Sequence, residues 1–473
     1  MTALPLCVDL DGTLLRTDTL HEAFLQLLRR RPLQAVAMLR FIPRGKAVFK
    51  RRVTEAAALD PSTLPVNEEF LAYLREQKQA GRTLALYSAA DHHLVEAVAR
   101  AHGLFDHAEG SDGTTNVAGA AKLRLIRERY GHDFVYAGNA TVDLPIWQEA
   151  RGTIVVSDSD RLACRAAAVA PLEARFRPGG GGWRAWVKAL RPHQWAKNLL
   201  LFAPLLLAGP MARPIDWVEA ALGFVIFGLL ASSGYVVNDL LDLEADRRHR
   251  SKRFRPFASG ALAIRDGVLG VGVLLLLAAA LMTLMPLAFV PAALAYFVGT
   301  LSYSLALKRE PMLDVLILAG LFTIRVLAGA MVLPMPVSFW LLSFSMFLFL
   351  SLALVKRYAE LAELARAGAE QAIPGRGYGV IELALLLSLG ASSAVAANVI
   401  FLIYLIDEKF PSGLYGNPEW LWLIFPLLLM WLMRLWRLAV QEKMHEDPVF
   451  FALKDRVSLL IGALVVAVVL AAR

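Results

Sequence analysis

The stretch that decides the fold of the larger half is residues 232–260, SSGYVVNDLLDLEADRRHRSKRFRPFASG. An apolar run leads to Asn238 and then to three aspartates, Asp239, Asp242 and Asp246, before a strongly basic loop. At about 100° per residue, the three aspartates fall on one face of a helix. Like charges on one face repel unless a cation lies between them, and carboxylates suit Mg²⁺. The pattern predicts a site for a Mg²⁺-bound diphosphate, and a basic loop with scattered acids is the alternative.

The composition of the 473-residue chain is that of a membrane protein. Hydrophobic residues make up 57% and charged residues only 19%, whereas soluble domains average ~25% charged residues. These values exclude a disordered chain, a coiled coil and a nucleic-acid-binding module, despite the net charge of +8. The two cysteines, Cys7 and Cys164, fit neither a zinc site nor a disulfide framework, which indicates a reducing compartment.

Long apolar runs alternate with short polar loops from about residue 198 onward. Nine runs have a length that crosses a bilayer: 198–212, 217–237, 262–283, 286–304, 312–333, 337–355, 380–405, 419–436 and 457–472. Lys and Arg concentrate in the loops after the even-numbered spans, and the opposite side shows only Arg213, Lys409 and Arg473. We therefore predict an all-α bundle of nine helices in the inner (plasma) membrane, with the N-terminal domain in the cytoplasm and the C-terminus outside.

The chain divides into two halves of different character. Residues 1–178 read as a soluble domain, 179–184 as a Gly-rich linker, and 185–473 as the membrane domain. Residues 20–70 of the soluble half read as helices that form a small cap. The cap interleaves arginines and lysines with apolar residues, which favours contact with an anionic membrane surface over a solvated helix face.

The soluble half begins with an apolar strand in LPLCVDLDGTLLRTDTL (4–20) that ends in Asp9 and Asp11. Carboxylates two residues apart at a strand end point the same way, and ligands bind at the carboxyl ends of parallel strands. A second strand ends at Ser88, and a third leads through Asn139 to Asp143. Because each strand is followed by a helical pattern, we predict an α/β domain with a parallel Rossmann-like sheet.

The DxDGT motif at Asp9, followed in order by Ser88, Lys122 and Asp143, resembles the haloacid dehalogenase (HAD) superfamily of phosphohydrolases over roughly residues 4–165. The resemblance implies that Asp9 is a nucleophile for phosphoryl groups and that Asp11 is the general acid/base. It also implies that Ser88 and Lys122 bind phosphate, and that Asp9, Asp11 and Asp143 hold Mg²⁺. The last motif usually begins Gly-Asp, whereas Asn139 follows Gly138 here and removes one negative charge. An active phosphatase and a docking domain without activity both stay open.

The motif NDxxDxxxD at Asn238, at the end of the second predicted span, resembles the UbiA superfamily of intramembrane prenyltransferases over about residues 185–473. Most of that superfamily has a second acidic pair, DxxxD, whereas Asp314 is followed by Leu318 here. Three other stretches resemble the branch of decaprenyl-phosphate phosphoribosyltransferases. They are RPHQWAKNLLLFAPLL (191–206), RxHxxKRxRPxASG (247–260) and LALVKRYAEL (352–361).

The second resemblance implies transfer of 5-phosphoribose from 5-phosphoribose 1-diphosphate to a polyprenyl (decaprenyl) monophosphate, which makes an arabinan precursor for cell walls. It places Mg²⁺-diphosphate on Asp239, Asp242 and Asp246, with Asn238 in support. The expected substrate-binding residues are Lys197, Asn198, Lys252, Arg253, Arg255, Lys308, Asp314, Arg325, Lys356 and Arg357. For the loop residues among them topological charge is the alternative, and Asp447 and Asp455 either orient substrate or belong to a solvated loop.

Together the two halves predict a bifunctional enzyme in which the HAD domain removes the 5-phosphate from the lipid-linked product. The expected partners are Mg²⁺, polyprenyl phosphate, 5-phosphoribose 1-diphosphate and the membrane, with no nucleic acid. The alternatives are a UbiA-type prenyltransferase with an aromatic acceptor and a non-catalytic HAD domain, and a transporter. The sequence leaves a homo-oligomer open.

Overall fold

The computed structural model describes residues 3–366, 377–444 and 447–472. The chain forms two compact units. The first consists of Met1–Leu190 and Tyr235–Gly272, and the second of Arg191–Gly234 and Val273–Arg473. The first unit therefore contains the soluble half together with residues 235–260 of the acidic stretch.

A six-stranded parallel sheet organises the first unit, with the strand order β3-β2-β1-β4-β5-β6. The strands are β1 Leu6–Val8, β2 Leu84–Asp91, β3 His107–Ser111, β4 Val135–Gly138, β5 Gly152–Val156 and β6 Leu172–Phe176. In the register, Val8 of β1 lies opposite Leu86 of β2 and Ala137 of β4. The strand order reverses at β1, so the carboxyl end of β1 is where such sheets bind ligands. The predicted parallel α/β domain is confirmed.

Side chains of β1 alternate between two apolar cores. Leu6 and Val8 pack in one cluster, and Cys7 packs in the other, as period-two alternation requires. The helices of this unit's first segment are α1 Thr19–Arg30, α2 Pro32–Met38, α3 Lys46–Ala57, α4 Glu68–Gln79, α5 His92–His102, α6 Ala120–Tyr130, α7 Leu144–Glu149, α8 Asp160–Ala167 and α9 Gly182–Leu190. α1, α2 and α3 form the cap between β1 and β2, around an apolar cluster of their own.

Six helical segments among the described residues are long and apolar enough to cross a membrane. They are α11 Pro214–Leu241, α13 Ile264–Met282, α15 Leu313–Ala330, α16 Phe339–Arg366, the segment Val380–Lys409 that contains α17 Leu383–Tyr404, and the segment Pro418–Val440 that contains α18 Ile424–Val440. A bent pair, α19 Pro448–Lys454 and α20 Arg456–Ala472, turns by 79° and makes a seventh if counted as one span. The shorter helices are α10 Ala203–Ala208, α12 Leu243–Arg248 and α14 Phe289–Leu305. The chain is a multi-pass membrane protein.

The predicted count of nine spans is not confirmed. The first predicted span, 198–212, divides into the 3₁₀ helix Pro192–Phe202, the short α10 and the 3₁₀ turn Gly209–Met211. Proline lacks the amide hydrogen that a continuing helix needs, and both α10 and the last turn have a proline in their first turn. An apolar run of sufficient length therefore does not form one straight helix here.

The core of the second unit lies among α15, α16, α17 and α18. Within it, the indole nitrogen of Trp436 donates to the Ser351 hydroxyl at 3.0 Å, and that hydroxyl donates to the Gly390 carbonyl at 2.9 Å. A side chain at Gly390 would overlap the Trp436 ring, since a Cβ there would lie 1.9 Å from a ring carbon. The helices are thus joined by a satisfied buried polar contact as well as by apolar packing.

Candidate active sites

The carboxyl end of β1 holds the first candidate site. Asp9 follows β1 directly, and its amide donates to the Ala137 carbonyl of β4 at 3.0 Å. The Lys122 ammonium on α6 lies 2.6 Å from Asp9 Oδ1, and both side chains are largely buried. The structure therefore brings together the predicted nucleophile and a predicted phosphate-binding lysine.

Tyr136 joins this pair to Asp143. Its hydroxyl accepts from Lys122 Nζ at 3.1 Å and donates to Asp143 Oδ1 at 3.1 Å. The other oxygen of Asp143 accepts from the amides of Asn139 and Ala140 at 3.1 and 3.0 Å. Burial and the charge of Asp9 raise the pKa of Asp143. Sequence reasoning missed Tyr136, whose signal was its place on β4, two residues before Gly138.

Asp11 and Ser88 have different surroundings from Asp9. The Asp11 carboxylate accepts from the Thr19 amide at 3.0 Å and from the Thr19 hydroxyl at 3.3 Å, which ties it to the start of α1. Burial, with the charges of Asp18 and Asp9, raises the pKa of Asp11 to about 7. A carboxyl group that holds its proton near neutral pH suits a general acid. Ser88 is buried inside β2, which continues to Asp91 rather than ending at Ser88 as predicted, and its hydroxyl accepts from the Ala90 amide at 3.0 Å.

Lys50 of the cap also reaches this region. Its ammonium donates to the Ala89 carbonyl at 2.7 Å and to Asn116 Oδ1 at 3.1 Å. Burial lowers the pKa of Lys50. With Asp11, Asp18 and Thr19 it lines a cavity of about 30 Å³. The sequence placed Lys50 in the basic cap without assigning it to the site.

The first acidic motif lies where α11 ends at Leu241 and α12 begins at Leu243. The amide of Asp242 still donates to the Asn238 carbonyl at 2.9 Å, and that of Asp246 to the Asp242 carbonyl at 2.8 Å. The aspartates thus keep their helical spacing across the break. Asp239 Oδ1 and Asp246 Oδ2 both contact Arg255 Nη1, at 3.1 and 2.7 Å.

Asp242 pairs with a residue that sequence reasoning did not connect to it. Arg29 Nη2, on α1 of the cap, lies 3.2 Å from Asp242 Oδ1. A second unpredicted pair joins Glu22 of the same helix to Arg247, at 2.5 Å between Oε1 and Nη2. No local pattern could have revealed these contacts, because the partners are more than 200 positions apart along the chain.

Two predicted lysines of the second unit share one carboxylate. Lys197 Nζ lies 3.3 Å and Lys356 Nζ 3.1 Å from the same Asp447 oxygen. Although burial alone would raise the pKa of Asp447, the two ammonium groups hold it down to about 2. Asp455, in contrast, forms a bidentate pair with Arg434 at 2.7 and 3.0 Å.

Asp314 and Arg357 form a fully buried ion pair in the second unit. Arg357 Nε lies 2.6 Å from Asp314 Oδ2, and both side chains are 0% exposed. The other oxygen of Asp314 accepts from the Tyr378 hydroxyl, and Arg357 also contacts Glu360 and the Tyr303 hydroxyl. Both oxygens of Asp314 are therefore engaged by the protein.

Arg325, inside α15, donates only to neutral oxygens in its described hydrogen bonds. They belong to Asn198 at 3.0 Å, to the Tyr296 hydroxyl at 2.9 Å and to the Leu321 carbonyl at 2.5 Å. The predicted residues Asn198 and Arg325 are thus brought together. Of the other predicted basic residues, Arg253 lies over the Phe254 ring, Lys252 is exposed, and Lys308 is half-buried in the 3₁₀ turn Leu307–Arg309.

The donor groups at both acidic sites suit Mg²⁺. Carboxylate and amide oxygens are available at Asp9 and Asn139, and two carboxylates of the acidic motif already converge on one cationic nitrogen of Arg255. Within the described residues no three His, Cys, Asp or Glu side chains are grouped as a metal site. A metal ion would therefore complete its shell with substrate oxygens and water, as Mg²⁺ commonly does.

The sequence matches the UbiA prenyltransferase family over residues 199–465 and the haloacid dehalogenase-like hydrolases over residues 6–148. The chain belongs to the UbiA prenyltransferase family. This UbiA-family chain carries a HAD-like domain at its N-terminus. Both families are families of enzymes.

Three proteins are similar in sequence to this UbiA-family protein over different parts of the chain. "Uncharacterized protein y4nM" of Sinorhizobium fredii is 38% identical over 98% of this chain and 90% of that protein, so it spans both halves. "Nodulation protein NoeC" of Azorhizobium caulinodans is 34% identical over 58% of this chain and 88% of that protein. "Decaprenyl-phosphate phosphoribosyltransferase" of Corynebacterium glutamicum is 35% identical over 48% of this chain and 70% of that protein.

Proposed function

We propose that this protein transfers 5-phosphoribose from 5-phosphoribose 1-diphosphate to a polyprenyl monophosphate at the cytoplasmic face of the inner membrane. The observation that carries the proposal is the likeness to the decaprenyl-phosphate phosphoribosyltransferase of Corynebacterium glutamicum over 70% of that protein. In the reaction, a phosphate oxygen of the lipid bonds to C1 of ribose while the bond from C1 to diphosphate breaks. The HAD-like domain then hydrolyses the 5-phosphate of the product.

The acidic motif supports the first step. Asp239 and Asp246 converge on one nitrogen of Arg255, so their carboxylates are already arranged around a single positive group. Burial raises the pKa of Asp246, and the charge of Arg255 opposes this rise. Mg²⁺ held by Asp239, Asp242 and Asp246, with Asn238 in support, would neutralise the leaving diphosphate. Lys252, Arg253 and Arg255 follow in the same loop and add positive charge for the polyphosphate.

Positive charge in the second unit suits the remaining phosphate groups. Lys197 and Lys356 share the single carboxylate of Asp447, so the trio has a net charge of about +1 at neutral pH. Arg325 donates to neutral oxygens in its described hydrogen bonds, which leaves its charge to attract an anion. We assign Lys197, Lys356 and Arg325 to the 5-phosphate and the lipid phosphate, with Asn198 orienting Arg325 and Lys308 at the rim.

An apolar groove in the second unit suits the lipid tail. It has a volume of about 360 Å³ and is lined by Phe344, Phe401, Leu428, Trp431 and Ile461, among others. Its walls belong to α16, α17, α18, α19 and α20.

The HAD-like domain supports the second step. Asp9 would attack the phosphorus of the 5-phosphate, and Asp11 would protonate the leaving ribose oxygen. Water, deprotonated by Asp11, would then hydrolyse the phosphoaspartate. Lys122 and Ser88 would hold the phosphate oxygens, and Asp143 would keep Lys122 oriented through Tyr136. Mg²⁺ at Asp9, with Asp11, Asn139 and Asp143 nearby in the sequence motifs, would offset the repulsion between carboxylate and phosphate.

The second candidate is a prenyltransferase that moves a prenyl group from its diphosphate to an aromatic acceptor. That reaction, in most of the UbiA superfamily, relies on two acidic motifs. Here Leu318 stands in the second motif, and Asp314 is engaged on both oxygens by Arg357 and Tyr378. These observations favour the phosphoribosyl transfer.

The test uses the full-length protein with Mg²⁺, polyprenyl monophosphate and 5-phosphoribose 1-diphosphate labelled with ¹⁴C in the ribose. We expect label in the lipid phase with the wild type and none with Asp242→Asn. Label that stays in water with the wild type, together with turnover of a prenyl diphosphate and an aromatic acceptor, would establish the second candidate instead.

A further inference from the structure

The cap of the HAD-like domain contacts the acidic motif along one face of α1. Gln26 lies four residues after Glu22, and Arg29 and Arg30 lie three and four residues after Gln26, so the four side chains share one side of the helix. Glu22 pairs with Arg247, Arg29 pairs with Asp242, and both Gln26 and Arg30 donate to Glu244, at 2.9 and 2.8 Å. α1 therefore contacts three residues in and next to the acidic motif, namely Asp242, Glu244 and Arg247.

The two ion pairs differ in their access to water. The side chains of Glu22 and Arg247 are only 4% and 8% exposed, and Glu22 also accepts from the Thr17 hydroxyl at 2.7 Å. Separating a buried pair leaves an uncompensated charge away from water, which strongly disfavours separation. The side chains of Arg29 and Asp242 are 28% and 18% exposed, so water and ions can reach them. The buried Glu22–Arg247 pair is therefore suited to hold the cap in place. The more exposed Arg29–Asp242 pair is suited to exchange of its cation.

We propose that Arg29 is the resident counter-cation of Asp242 and that it withdraws when a divalent cation with diphosphate binds the motif. The inference rests on the proposed function, because it takes Asp242 as a metal ligand. The Glu22–Arg247 pair keeps the cap attached during the exchange. Arg29 is thus a positioning residue that sets the affinity of the transferase motif from within the HAD-like domain.

α1 also connects the motif to the phosphatase site. α1 begins at Thr19, which hydrogen-bonds to Asp11, and reaches Arg29 in its last turn. α1 thus contacts Asp11 at its start and the acidic motif at its end.

The test measures Mn²⁺ binding to the full-length protein by electron paramagnetic resonance, in an Asp9→Asn background that removes the nucleophile of the HAD-like site as a ligand. Arg29→Ala should tighten Mn²⁺ binding by about three- to tenfold, because the metal no longer competes with a charge at 3–4 Å. Arg29→Lys should stay within twofold of the parent. A merely structural role for Arg29 predicts weaker binding, never tighter.

The matched control is Arg52→Ala, which removes a cap arginine whose described ion pair, to Glu55, lies inside the cap. It should leave Mn²⁺ binding unchanged. Unchanged or weaker binding in Arg29→Ala, with a normal melting temperature, overturns the inference, and Arg29→Gln serves as the second variant. If Asp242→Asn in the same background leaves Mn²⁺ binding intact, the proposed metal site itself is wrong.

The outer surface of the cap carries a row of exposed apolar side chains. Leu33, Val36, Leu39 and Ile42 are 87%, 60%, 43% and 55% exposed. They are spaced by three along α2 and the following 3₁₀ helix Leu39–Arg44, and they form one stripe that we call the cap stripe. The opposite side of the same segment carries Ala35, Met38 and Phe41, which pack in the cap core. Both sides of this segment are therefore apolar.

The surroundings of the cap stripe indicate what covers it. Exposed Arg31, Arg40 and Arg44 flank it. An apolar groove of about 250 Å³ joins Leu39 to Ile264 and Val268, which belong to the first turns of the membrane helix α13. α13 is long and apolar enough to cross a membrane, so one end of the cap stripe adjoins the start of a candidate span through Leu39.

We infer that the cap stripe inserts into the interface of an anionic lipid leaflet, with the flanking arginines on the head groups. The test places a nitroxide at Val36→Cys in a Cys164→Ser background, since the other cysteine, Cys7, is buried. The full-length protein is reconstituted in nanodiscs of phosphatidylcholine with phosphatidylglycerol. Val142→Cys is the control, since Val142 is 61% exposed on the same domain.

We expect the label at position 36 to be more accessible to oxygen and less accessible to a water-soluble nickel complex than the label at position 142. Equal accessibility at both positions would overturn the inference. Protection of position 36 from both reagents would also overturn it, because it would show a protein partner or a second copy on the stripe.

Discussion

The two acidic motifs of the membrane half differ in the exposure of the arginine that pairs with their buried carboxylates. In the first, Asp239 and Asp246 share Arg255, whose side chain is 23% exposed. In the second, Asp314 and Arg357 are both 0% exposed, and Tyr378 completes the carboxylate's hydrogen bonds. A partly exposed arginine can give way to another cation, whereas withdrawal of a fully buried arginine leaves its carboxylate unpaired in an apolar core.

In the second motif, one acid is missing and the other is held in a buried ion pair. Leu318 stands where the second acid of the motif is expected, four residues after Asp314. The remaining aspartate, Asp314, forms an ion pair that joins α15 to α16. We therefore expect the first motif to be needed for chemistry and the second for stability.

Asp239→Asn should show the largest effect. It removes one of two carboxylates that converge on a cation, and we expect a loss of transfer on the order of 10³-fold. The melting temperature should stay within about 2 °C, because the amide has the same shape and Arg255 keeps Asp246. Transfer is measured with labelled donor, and unfolding by differential scanning fluorimetry. A large loss of melting temperature would contradict the assignment of this motif to chemistry.

Asp314→Asn should lower the free energy of unfolding by up to about 3 kcal/mol, because it removes the fully buried carboxylate from Arg357 and leaves only the partly exposed Glu360 to balance that charge. Chemical denaturation of the detergent-solubilised protein measures the change. The paired replacement Asp314→Leu with Arg357→Met should recover most of the stability. If Asp314→Asn keeps full stability and loses only transfer, the second motif has a direct catalytic role.

Tyr136→Phe should reduce phosphate release by about 10–100-fold, because the hydroxyl orients both Lys122 and Asp143. The matched control is Tyr87→Phe, which changes a buried tyrosine on β2 whose hydroxyl has no hydrogen-bond partner among the described residues. Release of phosphate from a ribose 5-phosphate ester measures the effect. Equal effects of the two changes would show that Tyr136 acts only through packing.

Asn139→Asp should show the smallest effect and in the opposite direction. It restores the acid usual in the last HAD motif. We therefore expect phosphate release to need a few-fold lower Mg²⁺ concentration. The measurement is the Mg²⁺ concentration at half-maximal release, in the wild type and the variant. An activity that appears only in Asn139→Asp would show that the natural domain is a docking module.

The sequence predicted the sheet, the cap, the membrane half and the groups around Asp9, because these follow from periodicity and from motifs at strand ends. It did not predict the break of the first span at Pro204 and Gly209 or the ion pairs of Glu22 and Arg29 with the motif. The break depends on local backbone chemistry inside an apolar run, and the ion pairs join residues far apart in the chain. Lys252, Arg253 and Lys308 remain predictions, since their roles depend on substrate.

The most direct test of the two-step account labels the donor twice, with ¹⁴C in ribose and ³²P in the 5-phosphate, and follows the lipid phase over time. We predict that the wild type first places both labels in lipid and then loses only ³²P, as inorganic phosphate. Asp9→Asn should keep both labels in lipid. Equal loss of ³²P in Asp9→Asn, or its retention by the wild type, would contradict the account.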